Sequence, residues 1–394
     1  MEKETFHIAS SADIKNGRIT DVYFERALKV LKNEDLDKSV KAEVRVVDLP
    51  FEWAVLAGIE EVLRLFDGIN VNIICMEEGT IFHREEPVLT IEGKYSEFGI
   101  FETALLGLLS QASGISTKAA RCKKLAGEKL LISFGARRMH PAIAPMIERV
   151  AFIGGCDGVA AVKSAELIGE RPTGTMPHAF IIIVGDEERA FQLFHKYMPN
   201  SIPRIALIDT FGDEKFTSLK AASTLGKNLY GVRLDTPSSR RGDMAKIVEE
   251  VRWELDLRGF EHVKIIVSGG VDEKDIVELN RWVDGYGVGT SISNAPVINF
   301  SLDIVEVEGV PLAKKGKKSG AKRVFRCLNC FKTETLPEKQ KPKRCECGGE
   351  KESLSKLLLK EGRILSDLPT PQNIRKRVLR QLGKVEIETY SVGR

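Results

Sequence analysis

Apolar and polar positions alternate along KAEVRVVDLP, residues 41–50, the period-two pattern of a half-buried strand that stops at Pro50. EWAVLAGIEEVLRLF, 52–66, carries apolar residues at helical spacing and predicts a helix ending before Gly68. VNIICMEEGTIFHREEPVLTIEG, 71–93, reads as two or more strands joined by turns, and the Ala- and Leu-rich stretch 99–127 as one long helix.

A different rhythm begins near residue 129. Short apolar runs recur with helical stretches between them: KLLISFG, GVAAV, IALIDT, LYGVRLD, VKIIVSGG and DGYGVG. Alternating β and α units predict a parallel sheet covered by helices, in the manner of a (β/α) barrel or part of one. Polar residues at the C-terminal ends of such strands build the active site. Arg137, Asp209, Arg233, Asp235 and Gly269 fall there. After Pro296 the pattern returns to strand, NFSLDIVEVEGVPLAK, placed to complete the N-terminal sheet. KKGKKSGAKR then reads as an exposed link or hairpin, and PTPQNIRKRVLRQLG as a helix.

The expected organisation is therefore α/β: an N-terminal α/β sandwich over 1–115, completed by 295–313. An irregular or incomplete (β/α) barrel follows over 116–294, and a small zinc-knuckle domain over 314–394. A length of 394 residues suits two or three domains. A net charge of +3 gives little drive for coating nucleic acid. No run was read as the ~20 continuous apolar residues of a membrane helix. The acidic start Met1-Glu2-Lys3-Glu4 does not resemble a signal peptide. A cytoplasmic protein is expected, so the seven cysteines point to metal or free thiols and not to disulfides.

Cys327-x-x-Cys330 and Cys345-x-Cys347 give four thiols in two close pairs, a set suited to structural Zn²⁺. Cys75, Cys122 and Cys156 lack such spacing and read as buried thiols. Arg137 and Arg138 offer rigid cationic forks for carboxylate or phosphate, or else pair with a nearby helix carboxylate. His178 in GTMPHAF is an acid–base or nucleophilic group, or an ordinary satisfied histidine. Asp209 and Asp235 could hold Mg²⁺ or hydroxyls, and Asp209 could equally cap the next helix. The glycines of VSGGVD and GYGVGTSIS allow backbone N–H groups to approach a phosphate, or simply make turns.

In order along the chain, FGARR, GTMPH, LIDTF, GVRLDT, SGG and GVGT resemble nicotinate phosphoribosyltransferase, within the group that includes the nicotinamide and quinolinate enzymes. The resemblance runs from about Thr20 to Asn294. It implies transfer of a phosphoribosyl group from phosphoribosyl pyrophosphate to nicotinate, with Mg²⁺, and homo-oligomers whose active sites lie at subunit interfaces. By the same resemblance Phe134 stacks on the pyridine, with Tyr23 contributed by a neighbouring subunit. Arg137 and Arg138 meet pyridine and pyrophosphate. Arg233 and Asp235 contact the ribosyl or base side, with Thr175 beside them, and Asp209 serves ribose or metal. Ser268, Gly269, Gly270, Gly289 and Thr290 cradle the 5′-phosphate. His178 matches a histidine phosphorylated when ATP is coupled to synthesis, although Pro177 stands where relatives often carry a small residue. Ala160 falls where nicotinamide enzymes place an aspartate, leaving room for a carboxylate. Two alternatives stay open: a decarboxylating quinolinate enzyme, and a zinc-ribbon protein binding nucleic acid.

Overall fold

The computed structural model describes residues 6–237, 239–240 and 242–387, which form two compact units. One comprises the chain up to Thr117 together with Pro296–Glu386, and the other is built on Lys118–Ala295.

The first unit is organised on a seven-stranded sheet whose paired strands run antiparallel. Its order is Val310–Pro311, Phe300–Val307, Ser39–Val46, Leu89–Lys94, Asn72–Cys75, Lys356–Lys360 and Arg363–Ile364. Ala42, Val44 and Val46 are fully buried in the apolar core, as the alternation predicted. The opposite face of the same strand is not left to solvent. Glu43 and Arg45 are buried too, and Lys322 covers Glu43, donating to its carboxylate from both its backbone N–H and its Nζ. Buried charges must be paired, and these are.

The helix expected over 52–66 is divided. Ala54–Val55 pairs with Ile81–Phe82, and the helix proper is Ile59–Phe66. Gly58 causes the break. It takes φ +91°, and a Cβ there would stand 2.4 Å from the Leu108 carbonyl oxygen, so the chain turns where only glycine fits.

The cysteine segment also differs from expectation. It does not stand apart over 314–394. Its three-stranded sheet, with Lys322–Cys327 between Thr333–Pro337 and Lys351–Ser353, belongs to the first unit. Lys356–Lys360 carries the chain on into the large sheet beside Asn72–Cys75. The C-terminal helix Pro371–Leu382, capped by Thr370, is fixed by Gln381, which accepts from Ile81 N–H and donates to the Gly79 carbonyl. Arg326 donates to the Gln381 side chain and to the Ile81 carbonyl.

The segment Tyr95–Ala126 is long and apolar enough, by length and composition, to cross a bilayer, which the reading of continuous apolar runs overlooked. Over half of its most apolar window is nevertheless buried in protein. Ser113 and Thr117 donate to backbone carbonyls there and accept from the N–H groups of Ala57 and Val55. These contacts are those of a core helix.

The second unit carries a curled, wholly parallel sheet of six strands, in the order Gly158–Val159, Leu130–Ser133, Gly285–Val288, Lys264–Val267, Leu229–Leu234, Arg204–Leu207. All six apolar runs of the sequence become these strands. The two edge strands do not pair with each other, so the sheet is a half-barrel. Between Gly158–Val159 and Arg204–Leu207 the chain forms helices only, Val162–Ile168, His178–Val184 and Glu187–Tyr197.

Candidate active site

The C-terminal ends of the parallel strands open into a cleft of about 370 Å³. Phe134, Arg137, Arg138, Thr175, Arg233, Asp235, Ser268, Gly269, Gly270, Gly289 and Thr290 all line it. Eleven of the expected residues are thus gathered at one place. Tyr23 is not among them: it is 58% exposed on the helix Val22–Asn33 of the other unit.

Phe134 follows its strand directly, and its N–H donates to the Val288 carbonyl. Its ring occupies space that exists because residue 287 is glycine. A Cβ there would meet the ring at 2.3 Å. The Arg233 guanidinium lies 5.8 Å from the ring centroid, so an aromatic face and a cation share one wall. Arg137 and Arg138 sit on the short 3₁₀ turn Ala136–Arg138. Both are exposed, and neither is paired with a carboxylate among the described residues. The surface ion pair that would have made them structural is absent there.

Arg233 is held in place. Nη1 donates to Thr175 Oγ1 at 2.6 Å, and Nη2 to Asp235 Oδ2 at 3.2 Å. Burial lowers its pKa from the ordinary arginine value, partly offset by Asp235 and Asp209. Asp235 Oδ1 accepts from Ser268 Oγ at 2.8 Å. Gly269 and Gly270 follow with φ +86° and +83°. A Cβ on Gly269 would lie 2.9 Å from the Asp235 carbonyl oxygen, whereas Gly270 faces open space.

Asp209 is buried behind this row. Its Oδ2 accepts from Asp235 N–H at 2.6 Å and from Thr236 Oγ1 at 3.0 Å, and its Oδ1 has no hydrogen-bond partner. Burial raises its pKa above the usual carboxylate value. Asp209 does not cap the following helix: Asp213 does, accepting from the N–H groups of Lys215 and Phe216. His178 begins the helix His178–Val184, with Pro177 at the cap. Its Nδ1 lies 3.0 Å from Thr210 Oγ1, and its Nε2 lies 3.7 Å from Asp235 and 3.9 Å from Asp209. The histidine therefore faces both carboxylates, although a proline precedes it.

Two acidic residues escaped the sequence reading. Glu148, fully buried on Ala144–Gly154, accepts from the N–H groups of Ala160 and Ala161 at 3.0 Å each. It fixes the loop that contributes those alanines to the cleft wall. Glu187 accepts from Phe211 and Gly212 N–H and from Lys220 Nζ, shaping the loop after Asp209. The only sequence signal for Glu148 is a carboxylate among apolar helix positions, Pro145-Met146-Ile147-Glu148-Arg149-Val150.

In the first unit, Cys327, Cys330, Cys345 and Cys347 hold their four sulfurs within 4.8 Å of one another. Zn–S bonds of about 2.3 Å place tetrahedral sulfurs roughly 3.8 Å apart, and the closest pairs here are 3.4 and 3.5 Å. The backbone N–H groups of Cys330 and Asn329 lower the Cys327 pKa to about 6, while, against the Lys332 N–H, burial and the neighbouring thiols push Cys330 up to about 11, so the cluster shares protons that a bound metal would displace. A Cβ at Gly349 would strike Cys327 Sγ at 2.7 Å.

A half-barrel with cations, an aromatic ring and glycine turns along its C-terminal edge defines an α/β fold with a small-molecule cleft. The family models for the Quinolinate phosphoribosyl transferase N-terminal and C-terminal domains match residues 21–113 and 115–303. The crystal structure of nicotinate-nucleotide pyrophosphorylase from Pyrococcus furiosus is 53% identical, covers 98% of this chain and all of its own, and superposes with a TM-score of 0.96. The chain belongs to the nicotinate and quinolinate phosphoribosyltransferase family. A nicotinate phosphoribosyltransferase of Bacillus subtilis is 30% identical over 273 residues, 64% of this chain and 55% of that protein. The chain thus spans about half the length of that relative. Human nicotinic acid phosphoribosyltransferase, 20% identical, shares the fold across 93% of this chain and 94% of its own, with a TM-score of 0.71.

Proposed function

We propose that this chain transfers a phosphoribosyl group from phosphoribosyl pyrophosphate to nicotinate, forming nicotinate mononucleotide and pyrophosphate in NAD salvage. The observation that carries this reading is the pair Arg137 and Arg138, without a carboxylate partner among the described residues, beside an aromatic ring. Phe134 stacks the pyridine, and an arginine fork receives its carboxylate. Ser268, Gly269, Gly270, Gly289 and Thr290 receive the 5′-phosphate. The second arginine steadies the departing pyrophosphate while positive charge develops at C1 of the ribose. No side-chain nucleophile on carbon is needed. The Bacillus relative is named for nicotinate, while the Pyrococcus relative's name gives the nucleotide that either branch forms.

The donor set suits Mg²⁺ at Asp209 and Asp235, because Asp209 keeps an oxygen without a partner. When bound, the ion would neutralise pyrophosphate charge. We assign structural Zn²⁺ to the four cysteines. ATP coupling through His178 is part of the same proposal. With its proton on Nδ1 and donated to Thr210, the ring keeps the Nε2 lone pair for a phosphoryl group. Tyr23 completes the stack from a second copy of the chain.

The test offers nicotinate, nicotinamide and quinolinate separately with phosphoribosyl pyrophosphate and Mg²⁺, with and without ATP. Mononucleotide from nicotinate, without carbon dioxide, is expected. Carbon dioxide released from quinolinate in step with mononucleotide would move the protein to the decarboxylating branch.

A further inference from the structure

The first unit contains a second cleft, of about 440 Å³, between the end of the strand Ser39–Val46, the turn 83–86 and the segment 318–337. Its wall bears Arg45, Arg84, Lys318 and Lys322 against two carboxylates, Glu85 and Glu86. Both carboxylates are engaged. Glu86 accepts from His83 N–H and from Thr333 Oγ1, and Glu85 accepts from Arg45 Nη1 at 3.2 Å. Lys322 is neutralised by buried Glu43. Arg84 and Lys318 are exposed and have no ion-pair partner among the described residues, so the wall carries surplus positive charge.

Buried donors are also left over. The Arg45 side chain is only 4% exposed, yet its Nε makes no hydrogen bond: the nearest carboxylate oxygen, on Asp303, is 3.9 Å away. His83 Nδ1 is likewise buried without a hydrogen bond, 3.5 Å from Glu86 Oε1. A buried, unpaired donor costs roughly 1–3 kcal/mol. The Arg45 Nε–H, buried in a cationic cleft, and His83 Nδ1 when it carries a proton therefore mark a place that can receive an acceptor. Ser319 and Thr335 add hydroxyls to the lining, that of Thr333 being donated to Glu86.

We propose that this cleft binds an oligophosphate anion, free or as part of a nucleotide, at a site separate from the cleft on the parallel sheet. Arg84 and Lys318 supply the charge, Arg45 the buried N–H, His83 a further donor when Nδ1 carries a proton, and the Ser319 and Thr335 hydroxyls complete the shell. Guanidinium, ammonium and hydroxyl donors suit phosphate oxygens, and the two carboxylates of the wall are already engaged by Arg45, His83 and Thr333. The cleft has room for more than one phosphate.

The test is calorimetry of the full chain with pyrophosphate as probe. Arg137→Ala with Arg138→Ala removes the two exposed arginines of the other cleft, leaving Arg233, and this background is expected to retain about one equivalent of bound pyrophosphate. Adding Arg84→Glu and Lys318→Glu, both at exposed positions, is expected to weaken that binding about tenfold or more with an unchanged melting temperature. Repeating the titration with ATP distinguishes a free oligophosphate from a nucleotide, and binding of either that the charge reversal weakens supports the site. No binding of either in the double-alanine background, or binding indifferent to the reversal, overturns it.

Discussion

Arg233 Nη1 donates to Thr175 Oγ1 at 2.6 Å, tying a strand end to a loop 58 residues earlier. The bond aims a partly buried cation past the Phe134 ring. Thr175→Val keeps the shape and removes the acceptor. The expected loss is about tenfold in kcat/KM, with about 1 kcal/mol of stability. Steady-state kinetics on nicotinate and a thermal melt check both, and unchanged kinetics would remove Thr175 from the positioning of Arg233.

Gly287 and Phe134 compete for the same volume. Gly287→Ala places a methyl 2.3 Å from the ring, so the ring must move. Nicotinate KM is expected to rise at least about tenfold, and stability to fall by about 1–3 kcal/mol. Combining it with Phe134→Leu should restore much of the stability and none of the affinity. Recovery of affinity in the double variant would show that the ring does not stack the substrate.

Much of this was legible because strand periodicity is local. Five of the six apolar runs from 129 to 289 lead directly into residues that line the cleft, and the sixth into Asp209 behind them, so Arg137, Arg233 and Asp235 could be placed before any coordinates. The helix over 52–66 was misread because Trp53 to Leu56 is as apolar as the helix that follows, and the break depends on Gly58 meeting Leu108, a contact no local pattern encodes. Glu148 and Glu187 were missed for a related reason. Their roles lie in accepting distant backbone N–H groups, 12 to 25 residues away. The second, charged face of Ser39–Val46 was hidden because its cover comes from residue 322.

The four cysteines are expected to hold one equivalent of zinc. Chelation should lower the melting temperature, because Arg326, adjacent to Cys327, is bonded to Gln381 of the C-terminal helix and to Ile81. Cys347→Ser should reproduce that loss and bind less metal by elemental analysis. An unshifted melt after confirmed metal removal would show that the module is not a structural staple.

Glu102 gives a pH dependence. Burial, and then the nearby Asp303, push its carboxyl up to about 7 from 4.5. The folded state thus holds a proton that the unfolded state releases between about 4.5 and 7. The stabilisation is full below the unfolded value and is lost as pH rises through about 7. Glu102→Gln should remove this slope, leaving the variant about 1 kcal/mol more stable relative to wild type at pH 8 than at pH 4, after allowance for solvent screening. Parallel stability–pH curves for the two proteins would place the carboxyl elsewhere on the scale.

The central claim is phosphoribosyl transfer at the Phe134 and Arg137 cleft. The direct measurement follows pyrophosphate and nicotinate mononucleotide together, from nicotinate and phosphoribosyl pyrophosphate, in wild type and in Arg137→Ala. The account predicts the two products in equal amounts from wild type, and a fall of about a hundredfold or more in kcat/KM for the variant. No mononucleotide from wild type, or undiminished turnover without Arg137, would contradict it.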